Sequence, residues 1–158
     1  MTEAKIPMSD AVVSLREITE DTVYSVIKLS ETLSDDQQKM VAPNSISIAQ
    51  AHFSDKAWFR AIYANETAIG FIMLYDDSDK GEYFLWRLMI AEPHQKKGFG
   101  ERAIGLLADH VKTRPNAKSL GASYVPMDGG PEGFYTKLGF EPTGEVEHGE
   151  VVVRLPLS

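Results

Sequence analysis

Glu82-Tyr83-Phe84-Leu85-Trp86-Arg87-Leu88-Met89-Ile90 is almost continuously apolar, and a few residues later the chain reads Gln95-Lys96-Lys97-Gly98-Phe99-Gly100. The first stretch has the pattern of a strand covered on both faces. A polar loop, Ala91–Lys97, leads to the two glycines, after which Ile104, Leu107, Ala108 and Val111 mark one face of a helix that stops before Pro115. Glycines between a buried strand and a helix let the backbone curl until several N–H groups converge beside the positive end of the helix dipole. Those are the needs of a pyrophosphate site. Lys96 and Lys97 either add charge to such a site or are solvated, and a lone Gly-x-Gly is more often simply the flexible start of a helix. Two other phosphate motifs fail. No Gly-x-x-x-x-Gly-Lys-Ser/Thr exists. Gly98-Phe99-Gly100-Glu101-Arg102-Ala103 matches the dinucleotide pattern, but it does not follow a strand directly, and Ser123 and Tyr124 stand where that pattern needs an acidic residue.

Outward from this stretch, the chain reads as one mixed α/β domain over residues 1–158. Upstream, Ala11–Ile18 is a strand candidate. Thr19, Glu20 and Asp21 open an amphipathic helix through Val23, Val26 and Ile27 to about Leu33. Ser34 with Gln37 forms a capping box for a short second helix, and Ser45–His52 follows Pro43-Asn44 as a third. Lys56–Tyr63 and Thr67–Tyr75 are strands joined by Ala64-Asn65-Glu66, with Asp76–Gly81 a polar, solvated turn. Downstream come a strand at Ser119–Tyr124, a helix at Pro131–Leu138 ended by Gly139, and a last strand at Val151–Leu155.

Composition narrows the function. Sixteen Lys+Arg against 23 Asp+Glu give a net charge of -7, which disfavours nucleic acid as a partner and mildly favours a cation. No cysteine is present, so there is no disulfide framework, thiolate metal site or cysteine nucleophile. His52, His94, His110 and His148 lack metal-ligand spacing, and no Gly-x-Ser-x-Gly elbow occurs. No apolar run spans a membrane, and the opening MTEAKIPMSD carries no secretory pattern, so the expected location is the cytoplasm.

The strand end Leu88-Met89-Ile90, the spacer and Gln95-x-x-Gly98-x-Gly100 together resemble the acetyl-CoA loop of the GNAT superfamily of N-acetyltransferases. Gly133-Phe134-Tyr135-Thr136-Lys137-Leu138-Gly139-Phe140 resembles its other signature, an aromatic pair on a helix ending in Leu-Gly-Phe. The order of elements agrees from Val12 to Leu155. More loosely, Val41–Gln50, Ala57–Phe71 and Leu85–Ile90 resemble a diamine or spermidine acetyltransferase subgroup.

The resemblance implies the GNAT fold, α/β with a mostly antiparallel central sheet flanked by helices and splayed between its fourth and fifth strands. It implies acetyl-CoA as co-substrate, with no metal. Gln95, Lys96, Lys97, Gly98, Phe99, Gly100 and Glu101 would take the pyrophosphate, and unpaired backbone at Leu88, Met89 and Ile90 the pantetheine arm, Met89 N–H facing the thioester oxygen. Tyr135 would be the general acid, protonated at neutral pH by its ordinary pKa near 10. Phe134 is read as core, and Asp128 stands where the family often has Asn. Relatives that carry a carboxylate on the buried strand have it where Trp86 stands here. Glu82 and Glu92 read as solvated, and Arg87 as paired to a neighbouring carboxylate. Glu31, Asp35 and Asp36, on helices that cover the acceptor site in the family, read as a charged helix surface that could also attract a polyamine. The activity implied is direct acetyl transfer to the primary amine of a small molecule, a polyamine-like cation favoured. A non-catalytic acyl-CoA sensor is the alternative, and a homodimer is possible.

Overall fold

The computed structural model describes residues 6–157; residues 1–5, the first half of the N-terminal stretch read for a leader, and Ser158 lie outside the described residues. Seven strands form one sheet in the order β1-β2-β3-β4-β5-β7-β6. Strands β1 (Val13–Arg16), β2 (Ala57–Ala64), β3 (Thr67–Asp77) and β4 (Glu82–Ile90) pair antiparallel in sequence order. β5 (Ser119–Tyr124) runs parallel to β4, and β7 (Glu150–Pro156) lies antiparallel between β5 and the edge strand β6 (Glu141–Glu147). Helices α1 (Val23–Lys28), α2 (Asp35–Met40) and α3 (Asn44–His52) fall between β1 and β2, α4 (Phe99–Lys112) between β4 and β5, and α5 (Glu132–Lys137) between β5 and β6.

The sheet is the middle layer. The apolar stripe of α4, Phe99, Ala103, Ile104, Leu107 and Val111, buries against Ile62, Ile69, Ile72, Leu74, Leu85 and Leu120, with Phe134, Tyr135 and Leu138 of the α5 segment on the same side. On the opposite face Val26 and Leu33 pack on Ala61, Phe71, Met73 and Met89. Among the described residues no helix is long and apolar enough to cross a membrane.

Four expectations are corrected. The first helix begins at Val23 rather than at Thr19, because the Thr19 N–H donates to Thr22 Oγ1 at 2.9 Å and holds residues 19–22 in an irregular turn. It then tightens into a 3-10 turn, Leu29–Thr32. β1 is shorter than read, since only Val13 to Arg16 find partners on β2. Asp76 and Asp77 are not a solvated turn. They end β3, Asp76 paired to Arg114 at 2.8 Å and Asp77 only 3% exposed with Lys56 at 4.0 Å. β6 is a strand that the sequence pattern does not announce: Glu-Pro-Thr-Gly-Glu-Val-Glu is exposed throughout and so lacks the alternation that a half-buried strand shows.

The expected splay is present. β4 and β5 are bonded at one register position, Phe84↔Gly121, whereas β4 pairs with β3 along its whole length. From Leu85 onward, therefore, one edge of β4 is open.

Candidate functional site

The open edge owes its geometry to a bulge that the sequence pattern conceals. β3 pairs Met73 with Arg87 but Leu74 with Leu85, so Trp86 is an extra residue on β4. Tyr83 and Leu85 face α4 before the bulge, Leu88 and Ile90 face it after, and Trp86 and Met89 face the other layer. Residue pairs in an antiparallel ladder alternate between bonded and unbonded. Ala91 N–H donates to Ile69 C=O at 2.8 Å, and the Met89 C=O closes on the side of Gly70 where a Cβ would stand. Both place the Met89 main chain toward β3. The polar backbone groups of Leu88 and Ile90 consequently face the gap, and the expectation that the Met89 N–H does so is corrected: the bonded member of the ladder is Met89.

At the end of β4 a 3-10 turn, Glu92–His94, leads into the glycine loop. Lys96 has φ 64° and Gly98 φ 81°, and Gly98 caps α4 in the left-handed region. The first helical bond runs from Arg102 N–H to Gly98 C=O. The main-chain N–H groups of residues 96–101 have no acceptor among the described residues, so they form a curled row of free donors at the positive end of the fourteen-residue α4. Gly98 meets the conformational need. Gly100 does not share it: it lies inside α4, and a Cβ there would rest 3.5 Å from the Phe134 ring.

The side chains of the loop divide their work. Lys96 lines the cleft, whereas Lys97 Nζ donates to Pro7 C=O at 3.0 Å and ties down the N-terminal segment. Phe99 is buried in the core, with the Arg102 guanidinium over its ring. Glu101 pairs with Lys137 of α5 at 3.0 Å. Gln95 Nε2 donates to Ile90 C=O at 2.8 Å, and its Oε1 accepts from Gln37 Nε2 at 3.0 Å. Gln37 belongs to the capping box of α2 with Ser34, so Gln95 couples the helix layer to the open strand.

A cleft of ≈ 1500 Å³ runs from this loop along the open edge of β4 to α5 and α2. Tyr135 lines it, stacked on Tyr124 at 5.9 Å and edge-on to Phe134 and Phe140. Burial, with a smaller contribution from the charge of Glu150, pushes its pKa up to about 12, so the phenol holds its proton throughout the neutral range. Phe134 is part of the core and of the cleft wall at once. Asp128 lies exposed on the rim, and Trp86 occupies the wall.

Among the described residues Arg87 is not paired to a carboxylate. Its guanidinium donates to Gln50 Oε1 at 3.1 Å and to the Trp86 C=O, and burial lowers its pKa. Glu82 and Glu92 are exposed and do not line the cleft. Glu150 does line it, half-buried at the start of β7. Sequence reasoning passed over Glu150 because one acidic residue before a strand has the look of a solvated end. The available signal was the two-residue turn His148-Gly149, both with positive φ, which closes a hairpin and brings β7 back beside β5. Among the described residues no group of three or more His, Asp or Glu is arranged to hold a metal ion.

Comparison with known proteins agrees with this geometry. The chain superposes on the PaiA N-acetyltransferase of Thermoplasma acidophilum, solved in complex with coenzyme A, with a TM-score of 0.70 at 14% identity, covering 92% of this chain and 99% of that one. An acetyltransferase from Thermus thermophilus gives a TM-score of 0.70 at 15% identity, with 92% and 97% covered. A spermidine N-acetyltransferase chimera from Vibrio cholerae gives 0.66 at 18%, with 90% and 92% covered. At such identities the likeness is one of fold. No curated protein matches in sequence. The model of the Acetyltransferase (GNAT) family, however, matches residues 21–140, three-quarters of the chain, including the glycine loop, the open strand and Tyr135. The chain belongs to the GNAT acetyltransferase family.

Proposed function

We propose that the protein is an acetyl-CoA-dependent N-acetyltransferase that carries acetyl to a primary amine of a small molecule by direct attack. The observation that carries this reading is the row of free N–H groups at residues 96–101, standing at one end of a cleft that continues along the open edge of β4 to Tyr135. The amides fit a pyrophosphate, the exposed backbone of Leu88 and Ile90 fits an extended amide arm laid down like an added strand, and the family supplies acetyl-CoA as the donor. Gln95 already satisfies Ile90 C=O, so the Ile90 N–H and the Leu88 groups carry that pairing.

Transfer forms a C–N bond and breaks a C–S bond; the amine loses a proton and the sulfur gains one. Tyr135 serves the sulfur. With a pKa of about 12 against about 8.5 for a thiol, it stabilises the departing thiolate chiefly as a hydrogen-bond donor, full proton transfer being uphill. A polyamine-like cation is the acceptor favoured here, since Asp36, Asp128 and Glu150 line the cleft, although Lys39, Arg87 and Lys96 line it too. A fold shared with a spermidine N-acetyltransferase is in keeping with it. The alternative, a non-catalytic acyl-CoA sensor, draws on Trp86 standing in the wall of β4 where a carboxylate would serve as base. Thiol release from acetyl-CoA, followed with spermidine, putrescine and a short peptide bearing a free N-terminus, tests the proposal. Amine-dependent release is the expected result; saturable binding without release for every amine would favour the sensor.

A further inference from the structure

Four carboxylates line the cleft: Asp36, Glu101, Asp128 and Glu150. Glu101 is taken by Lys137 at 3.0 Å, and Asp36 and Asp128 are exposed at the rim. Glu150 is half-buried, and among the described residues its carboxylate has no ion-pair or hydrogen-bond partner. Its position is set by the sheet: it opens β7, opposite Glu147 across the hairpin and one residue before Val151, which pairs with Tyr124. Tyr124 in turn stacks on Tyr135. Side chains alternate along a strand, so with Val151 packed in the α4-side core beside Tyr124, Glu150 turns toward the other layer. The charged and titratable groups that line the cleft with it include Arg87 of β4, Tyr124 of β5 and Tyr135 of α5, and Glu147 lies opposite it in the hairpin. Arg87 is anchored instead to Gln50 and to the Trp86 carbonyl. Glu150, Tyr135 and Arg87 line the same cleft, and the charge of Glu150 acts on both of the others.

We propose that Glu150 is the catalytic residue that engages the acceptor amine and takes its proton as the C–N bond forms, in place of the carboxylate that Trp86 excludes from β4. The inference rests on the acetyl-transfer reading. The step balances: the lone pair of the neutral amine makes the bond to the acetyl carbon, the C–S pair leaves with the sulfur beside the Tyr135 hydroxyl, and the proton that the newly bonded, positively charged nitrogen must shed passes to the Glu150 carboxylate. From there it leaves to solvent through the open cleft, and the sulfur, held by the Tyr135 hydroxyl as it departs, takes its proton from solvent.

The test compares Glu150→Gln, Glu150→Asp and Glu147→Gln in thiol release with acetyl-CoA and the three amines above, together with acetyl-CoA affinity by calorimetry. Glu150→Gln should lose between about 10²- and 10⁴-fold in kcat/KM for the amine, the range of general acid–base catalysis, with acetyl-CoA affinity unchanged. Glu150→Asp should recover part of the rate, and Glu147→Gln should behave as wild type. An unchanged rate in Glu150→Gln, or an equal loss in Glu147→Gln, would overturn the inference and leave acetyl transfer standing. Wild-type protein that binds acetyl-CoA but releases no thiol with any amine would overturn it in favour of the sensor. Wild-type protein that does not bind acetyl-CoA would overturn the proposed function itself.

Discussion

Tyr135 and Gly98 make opposite demands on a substitution, one chemical and one conformational. Tyr135 reaches the cleft from a nest of aromatic rings, and burial keeps it protonated. Tyr135→Phe removes one hydroxyl and keeps the ring contacts. It should leave acetyl-CoA affinity unchanged while lowering turnover between about 10²- and 10⁴-fold; an unaltered turnover would remove the phenol from the mechanism. At Gly98 the φ of 81° is the issue, since among the described residues no atom lies within 4 Å of the place a Cβ would take. A left-handed β-branched residue costs about 1–2 kcal/mol. Gly98→Val should therefore weaken acetyl-CoA binding by roughly 5- to 30-fold as the row of amides relaxes. Gly100→Ala is the contrast. Its methyl group meets the Phe134 ring at ordinary contact distance, so the melting temperature should hold or rise. From the sequence alone the two glycines were indistinguishable, because the residue type does not reveal which of them carries the positive φ.

Elements were legible where one chain segment contains its own signal. The capping box of Ser34 and Gln37 is local and forms as read, and the stripe Ile104, Leu107, Ala108, Val111 is buried as its period requires. Leu107 is fully buried in that stripe, so Leu107→Ala should cost about 2–5 kcal/mol in chemical denaturation. A loss under 1 kcal/mol would mean that α4 is not packed as described. What could not be read is relational. The bulge at Trp86 exists only in the register of β4 against β3, and it decides that Leu88 and Ile90, not Met89, present backbone to the gap. Arg87 took a glutamine and a carbonyl rather than a carboxylate for the same reason: residue type names the possible partners, and topology picks among them. β6 was illegible because both its faces are wet.

Across the whole molecule, the shifted groups define a window of stability. His94 and His110 have lowered pKa values, burial being the first cause in each; His110 is stacked on Trp58 at 4.2 Å. The unfolded chain therefore binds their protons more readily, and stability present above about pH 6.5 is lost as the pH falls. Tyr83, Tyr124 and Tyr135 are raised, again by burial first, so stability present below about pH 10 is lost as the pH rises, for Tyr135 through about 12. Melting temperature against pH should show a plateau between about 6.5 and 10 with a decline on either side, and Tyr135→Phe should soften the alkaline decline. The family and the order of elements were both legible at this scale, because two short motifs held the right order and spacing. The acceptor was not, since it depends on which side chains the hairpin of β6 and β7 brings to the cleft. The central claim is that the free amides of residues 96–101 hold a coenzyme A diphosphate. Isothermal titration of the folded protein with acetyl-CoA tests it most directly: the account predicts saturable uptake of one molecule per chain, weakened in Gly98→Val and preserved in Tyr135→Phe, and an absence of binding by folded wild-type protein would contradict it.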